Sequence, residues 1–408
     1  MQIYLVGGAV RDSLLDLPVH DRDYVVVGAT AQQMKAQGFT QVGKSFPVFL
    51  HPKTKEECAL ARTERKTGQG YTGFQCDFGP EVSLETDLKR RDITINAIAQ
   101  DQNGQLIDPY GGQDDIKAKQ LRHVSPAFNE DPLRVLRVAR FAAKLAHLGF
   151  KIADETIVLM SQMASSNELQ TLTPERVYTE MEKALKTDSP HIFFETLRRI
   201  GALKVIIPEL DQLFGIPAPA HWHPEIDTGI HTLLTLQRAS QLTQDIAVRF
   251  AALSHDLGKA GTPQACWPSH HGHGQRGVSI IKALSERLKI PNNLRDLASL
   301  SSQWHIQIHR VNRLSNEQIL DILDQCDAWR KPERFNAILK VCEADIKGRL
   351  NHEKDSYPQA KQFQSYLEEL GKIPVQSIVR EGFKGKEIRE QLYLKRLNRL
   401  NELQAREM

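Results

Sequence analysis

The sequence predicts a multidomain protein, an α/β head followed by a long all-α region, and three observations predict it. The 408 residues exceed what one core of about 100–200 residues organises. Two short apolar runs, Ile3 to Val6 and Tyr24 to Val27, read as strands near the start of the chain. From about Asp131 onward, apolar residues recur every three to four positions and no strand pattern returns.

Within the head, Gly43 to Leu50 and Cys58 to Arg62 read as further strands, and Ala31 to Gln37 as a short helix stopped by Gly38. Asp108-Pro109-Tyr110-Gly111-Gly112 is turn chemistry that closes this part. Asp131-Pro132 then opens a helix through Leu133, Leu136, Val138 and Phe141, with a cap and a first-turn proline. Thr173 caps the next helix, with Arg176 in its N3 place. Phe193 to Ile200 and Ile246 to Leu257 read as helices too. The proline-rich stretch Ile216 to Pro224 reads as a linker, and the apolar pattern thins again at Lys347 to Tyr357. The expected domains are 1–125, 126–215, 225–348 and 349–408.

Composition excludes several classes. Hydrophobic residues at 40% and charged residues at 25% suit a globular chain and argue against disorder or a fibrous protein. No apolar run approaches the ~18 residues of a membrane span, and the start lacks the pattern of a signal peptide. The five cysteines (Cys58, Cys76, Cys266, Cys326, Cys342) form no CxxC pair, which predicts reduced thiols and a cytoplasmic location. The net charge of +3 decides nothing about a nucleic-acid partner. Local clusters do more: Lys89-Arg90-Arg91, the series Arg134, Arg137 and Arg140, and a basic C-terminal stretch.

The first chemical pattern joins Gly7-Gly8, Arg11 and Asp21-Arg22-Asp23. Adjacent glycines after a strand let backbone approach a triphosphate. Alternate residues entering a strand share a face, so Asp21 and Asp23 can converge on one spot. Two close carboxylates need a cation, and hard oxygens favour Mg²⁺. An Asp-x-Asp in isolation is more often a solvated hairpin; the ordered set within 25 residues is more specific.

The second pattern is Arg90-Arg91-Asp92-Ile93-Thr94-Ile95-Asn96-Ala97, followed by Glu130-Asp131-x-x-Arg134-x-x-Arg137-x-x-Arg140. Spacing of three puts Asp131 and the three arginines along one helix face, a row that is costly unless it meets an anion or finds partners elsewhere in the fold. A carboxylate accepts from an exocyclic amine and a guanidinium donates to the acceptor beside it. Asp131 with Arg134 can therefore prefer cytosine and adenine over uracil and guanine, whose carbonyl leaves the carboxylate unpaired.

These motifs, in this order and over nearly the whole chain, resemble those of class II tRNA nucleotidyltransferases, the bacterial CCA-adding enzymes of the DNA polymerase β nucleotidyltransferase superfamily. The resemblance implies an α/β nucleotidyltransferase head, then all-α neck, body and tail. It implies Mg²⁺ on Asp21 and Asp23, incoming CTP or ATP on Gly8, Arg11, Arg91, Arg137 and Arg140, and base reading by Asp131 and Arg134. It implies the tRNA 3′ end as the substrate. A third catalytic carboxylate is not evident; Glu64 is the candidate.

The histidines form a third pattern. His231, His255-Asp256, His273, His305 and Asp345 combine imidazoles with carboxylates, a set that suits a transition metal and a hydrolytic water. His270 and His271 read as ordinary surface or capping residues. The order His231, His255-Asp256, Asp345 resembles the HD phosphohydrolases, with His273 and His305 where two-metal members carry extra histidines. CCA-adding enzymes with an HD domain share the block Ala220-His221-Trp222-His223-Pro224-Glu225-Ile226-Asp227-Thr228-Gly229-Ile230-His231. The resemblance implies phosphatase, 2′-nucleotidase and 2′,3′-cyclic phosphodiesterase activities on Ni²⁺ or another transition metal, in a monomer or homodimer. The alternatives are a bacterial poly(A) polymerase and an HD phosphohydrolase with an RNA-binding head.

Overall fold

The computed structural model describes residues 1–42, 48–66, 74–221 and 223–407. Two compact units divide the chain: residues 1–184 with 192–206, and residues 185–191 with 207–408.

The first unit is built on a seven-stranded mixed sheet. Its strands are β1 (Gln2–Val6), β2 (Asp23–Val27), β3 (Thr40–Val42), β4 (Val48–Leu50), β5 (Glu57–Leu60), β8 (Ala99–Gln100) and β9 (Leu106–Ile107), in the order β3-β4-β5-β2-β1-β8-β9. β6 (Arg62–Lys66) and β7 (Phe74–Phe78) form a separate antiparallel hairpin. Alternation along β2 splits the core: Val25 packs with Val6, Leu88 and Ala97, whereas Val26 packs with Met34, Phe49 and Leu60 on the other face. β1 pairs antiparallel with β2 so that Val6 faces Asp23, and β5 pairs parallel with β2 so that Glu57 faces Asp23. The end of β1, the start of β2 and the start of β5 therefore meet at one end of the three central strands.

Four helices complete the head: α1 (Gly8–Leu14), α2 (Ala31–Ala36), α3 (Leu84–Lys89) and α4 (Gly112–Ala118). Thr30 caps α2 through a capping box with Gln33. The expected strand Gly43 to Leu50 survives as β4, with 43–47 outside the described residues. A helical series follows: α5 (Leu133–Leu145), α6 (Asp154–Ser165), α7 (Pro174–Leu185), α8 (His191–Arg199) and α9 (Leu203–Ile206). One strand does return after Asp131. β10 (Gln120–Leu121) pairs in parallel with β11 (Lys151–Ile152), two residues too short to leave a periodic signal.

The second unit is helical: α10 (Pro208–Asp211), α11 (Thr228–Leu242), α12 (Ile246–Ser254), α13 (His273–Arg287), α14 (Asn292–His309), α15 (Asn316–Gln325), α16 (Pro332–Lys347), α17 (Pro358–Gly371), α18 (Val375–Arg380) and α19 (Lys386–Glu407). α11, α12, α13, α14 and α16 pack around one core. Buried Arg249 on α12 ties the entry segment to it, donating to the carbonyls of Leu185, Thr187, Thr243 and Ser240. The described residues of the stretch read as a linker, 216–221 and 223–224, are instead bonded to this unit. Ala218 N–H donates to the Ile226 carbonyl, Pro217 bridges Asp227, and the Pro217 carbonyl meets His270 Nε2 at 2.8 Å. Its prolines fix a turn rather than a spacer. No helix among the described residues is long and apolar enough to cross a membrane, and the five cysteines are free.

Candidate active sites

In the first unit, a cleft of about 590 Å³ opens at the strand ends where β1, β2 and β5 meet, a size that suits a small-molecule ligand. Its lining combines the acidic residues Asp23, Glu57, Asp92 and Asp131 with arginines that include Arg11, Arg91, Arg134, Arg137 and Arg176. Gly7 sits at φ 72°, ψ −131°, a conformation open to glycine, and a Cβ there would stand 2.9 Å from an Arg91 guanidinium nitrogen. The glycine pair thus keeps the mouth clear and lets Arg91 approach.

Asp23 lines the cleft, while Asp21 lies just ahead of β2, exposed and outside the lining. Burial raises the pKa of Asp23, Arg91 opposes it, and the nearby Asp21 charge raises it further. A carboxylate in that position gains from a cation. Glu57, unnoticed in the sequence, lines the cleft beside Asp23, with Asp92 and Asp131 as the other acidic residues of the lining. The candidate Glu64 lies on β6, and its side chain is outside the described residues.

The motif Arg91-Asp92-x-x-x-Asn96 is explained by a buried network. Asp92 Oδ1 accepts from Asn96 Nδ2 at 2.9 Å, and Asp92 Oδ2 accepts from Arg137 Nε at 2.7 Å. Asn96 Oδ1 accepts in turn from Arg11, whose Nε also donates to Asp12. Burial pushes the Asp92 carboxyl up, but Arg137 and these hydrogen bonds outweigh it and hold the pKa well below the usual range. Asp92 and Asn96 therefore fix the angle at which Arg11 and Arg137 enter the cleft.

The arginines of α5 do not form one row toward a single anion. Arg134 is buried, its guanidinium donating to the carbonyls of Ala127 and Arg90, both at 2.6 Å. Arg137 is bound to Asp92. Arg140 is not in the cleft lining; it pairs with Glu180 and lies over the Phe141 ring. Each has its own partner, because a helix face 3.6 residues per turn drifts across several neighbours. Asp131 accepts from the Leu133 amide through Oδ1, one residue ahead of the N-cap place that Pro132 takes, and from Arg176 through Oδ2 at 2.9 Å. Arg176 is thus a cleft residue that its place as a helix N3 residue did not reveal.

The second unit holds the histidine series in a buried cluster. His231 (α11), His255 (end of α12) and Asp345 (α16) form one group that could hold an ion; Asp256, His273 (α13) and His305 (α14) form another. His255 Nε2 lies 3.2 Å from Asp256 and 3.9 Å from Asp345, so the groups adjoin. Glycines make the convergence possible. A Cβ on Gly258 would overlap the His273 carbonyl, and one on Gly274 would meet the Ser302 carbonyl. The turn after Asp256 and helices α13 and α14 can approach only without those side chains.

The Nδ1 atoms of His255, His273 and His305 lie against the carbonyls of Ala252, His270 and Ser302, at 2.8, 2.7 and 2.9 Å. With Nδ1–H donated there, each Nε2 keeps its lone pair for the cluster. His273 Nε2 and His305 Nε2 then stand 3.2 Å apart, and His255 Nε2 and Asp256 Oδ1 are buried without a hydrogen-bond partner. Lone pairs so placed fit a cation, and mixed imidazole and carboxylate donors fit a transition metal. Burial, with His273 beside it, holds the His305 pKa well below the ordinary value. His309, absent from the expected set, joins through a 2.8 Å contact of its Nε2 with Asp345 and a 2.9 Å contact of its Nδ1 with Tyr357.

Comparison with known proteins agrees with this architecture. Residues 3–122 match the poly A polymerase head domain, 149–214 the probable RNA and SrmB-binding site of polymerase A, and 228–329 the HD domain. Among solved structures, an apo CCA-adding enzyme is 21% identical, with a TM-score of 0.66 over 100% of this chain and 92% of that one. A CCA-adding enzyme in complex with ATP is 22% identical, with a TM-score of 0.66 over 98% and 86%. The Thermotoga maritima CCA-adding enzyme complexed with tRNA is 19% identical, with a TM-score of 0.65 over 100% and 92%. The chain therefore carries a poly A polymerase head domain, the RNA and SrmB-binding region of polymerase A and an HD domain, in the fold seen in solved CCA-adding enzymes.

Proposed function

We propose that this protein adds and repairs the 3′-terminal CCA of tRNA from CTP and ATP, without a template. The observation that carries the reading is that Asp23 and Glu57 line the same cleft as Arg11, Arg91 and Arg137. An anionic nucleoside triphosphate is held by the guanidiniums. Asp21, Asp23 and Glu57 offer the hard oxygens that would hold Mg²⁺, which when bound activates an attacking hydroxyl and stabilises pyrophosphate. Asp131 reads the base amine, with Arg134 and Arg176 fixing the geometry around it. Structural relatives described with ATP, with CTP and with tRNA support the substrates.

The test is purified protein, tRNA lacking its 3′ end and each labelled nucleotide in turn. Addition of C, C and A that then stops supports the reading. Runaway A addition would identify a poly(A) polymerase instead, and no addition would leave a phosphohydrolase with an RNA-binding head.

The buried histidine cluster favours a second activity, hydrolysis of phosphate esters including 2′,3′-cyclic and 2′-phosphates. His231, His255, Asp256, His273, His305 and Asp345 would hold Ni²⁺ or another transition ion, which when bound lowers the pKa of a water nucleophile. Lys259, 2.6 Å from Asp256, adds positive charge beside the cluster. Hydrolysis of 2′,3′-cyclic AMP that depends on added metal and is lost in His255→Ala tests this activity separately.

A further inference from the structure

Three of the histidines that converge on the cluster are set by backbone carbonyls on Nδ1. His231 is the exception. Its Nε2 faces Asp345 at 3.1 Å, and its Nδ1 lies 2.8 Å from Oε1 of Glu225. Both side chains are buried, at 0% and 1% exposure. The same Glu225 oxygen meets His223 Nδ1 at 3.0 Å, and the other Glu225 oxygen accepts from the Leu350 amide.

The segment that delivers Glu225 is strained and tightly bound. Ile226 adopts φ 62° with its side chain 49% exposed, a left-handed conformation uncommon for a β-branched residue. Its N–H donates to the His223 carbonyl and its carbonyl accepts from Ala218. The next residue, Asp227, caps α11 by accepting from Ile230 N–H and also accepts from Gly215 N–H. Strain held by so many bonds points to a purpose for the geometry. The turn sends Glu225 inward, puts Ile226 outward and starts the helix on which His231 stands.

We infer that Glu225, braced by His223, is the positioning residue that sets the orientation and tautomer of His231 at the metal centre. The inference rests on reading the cluster as a metal centre. His231 Nδ1 is buried and has no other hydrogen-bond partner, so the Glu225 oxygen 2.8 Å away is the group that faces it. With Nδ1–H given to the carboxylate, Nε2 presents its lone pair toward His255 and Asp345, and the ligand becomes more basic. The carboxylate does at His231 what the carbonyls do at the other three rings. It accounts for the His223-Pro224-Glu225-Ile226-Asp227 part of the sequence block ahead of His231.

The experiment is calorimetric titration of the full apo chain with Ni²⁺ alone, and visible spectra with Co²⁺. It compares wild type, Glu225→Ala, Glu225→Gln, His223→Ala and His255→Ala. Glu225→Ala is expected to weaken metal binding about 10–100-fold, the usual cost of losing such a partner. It should also change the Co²⁺ spectrum, while CCA addition in Mg²⁺ stays at wild-type level. Glu225→Gln keeps an acceptor and should recover part of the affinity, which a general packing defect would not allow. Wild-type affinity and spectrum in Glu225→Ala overturn the inference and leave the metal centre standing. Wild type that binds no better than His255→Ala overturns both. If Glu225→Ala fails to fold, Glu225→Gln and His223→Ala decide: unchanged binding and spectra in both overturn the inference.

Discussion

Glu57 on β5 stands in parallel register with Asp23 on β2, and both line the cleft. The pairing puts a second carboxylate beside Asp23 on the same face of the sheet, about 4.8 Å across in the ladder direction. Such a carboxylate can share a cation with Asp23. Glu57→Gln should lower nucleotide addition at least ~100-fold with little change in stability, and Asp21→Ala or Asp23→Ala should abolish it. Excess Mn²⁺, which also binds oxygen donors, should restore Glu57→Gln in part. Initial rates across a metal titration check this; wild-type rates at limiting Mg²⁺ would remove Glu57 from the site.

Asp92 gives a prediction about pH. Its folded pKa lies well below the ~3.9 of an unfolded aspartate. Its stabilisation is therefore fully present above about pH 4 and is lost as pH falls toward the folded pKa. Asp92→Asn removes a charge-assisted bond to Arg137 and should cost about 2 kcal/mol at pH 7. For a unit of this size that is roughly 4–8 °C in apparent Tm. The gap from wild type should stay constant between pH 7 and 5 and narrow below pH 4. Thermal melts across that range check it; a gap that widens in acid would contradict the assignment.

Which parts of this were legible in the sequence follows from range. β1, β2, α2 and α5 carry their own periodicity and caps, so a short window reveals them. The glycine pair and Asp-x-Asp are local as well. Glu57 is not: its meaning comes from a parallel neighbour more than thirty positions earlier, and parallel pairing leaves no turn signature. Arg140 shows the converse. Its spacing placed it with Arg134 and Arg137, but Glu180, forty positions away, claims its guanidinium. The linker reading of Ile216 to Pro224 failed because proline content marks irregular backbone without saying whether it packs. His309 was passed over because its partners Asp345 and Tyr357 lie on other elements.

Gly258 is a sharper test of the histidine cluster than removing a ligand. An added methyl would overlap the His273 carbonyl and crowd the Gly277 amide, forcing α13 away from the turn after Asp256. Every donor atom remains, but His273 and Asp256, now 3.1 Å apart, separate. Gly258→Ala should lose metal-dependent hydrolysis at least ~100-fold, since a 1 Å misplacement alone can cost that much. Metal stoichiometry by inductively coupled plasma analysis should fall as well. Retained stoichiometry and rate would show that the close packing is not needed.

The last prediction concerns base choice, where Asp131 and two arginines line one cleft but only one of the arginines bonds its carboxylate. Arg176 donates to Asp131 Oδ2 directly, while Arg134 spends its guanidinium on the carbonyls of Ala127 and Arg90. Removing Arg176 frees the carboxylate to rotate, so the penalty against a base carbonyl falls. Arg176→Ala should raise UTP misincorporation about 10-fold or more, the equivalent of ~1.4 kcal/mol of lost discrimination. Arg134→Ala should raise it too, but with a loss of stability, because the partly buried carbonyls of Ala127 and Arg90 lose a charged donor. Arg137→Ala should instead weaken all four nucleotides alike, since its partner is Asp92 and its proposed role is to hold the phosphates. Single-nucleotide incorporation with each of the four triphosphates, paired with thermal melts, separates these outcomes. If Arg176→Ala lowered incorporation of CTP, ATP and UTP by one common factor, Arg176 would serve the triphosphate, and control of Asp131 would not be its role.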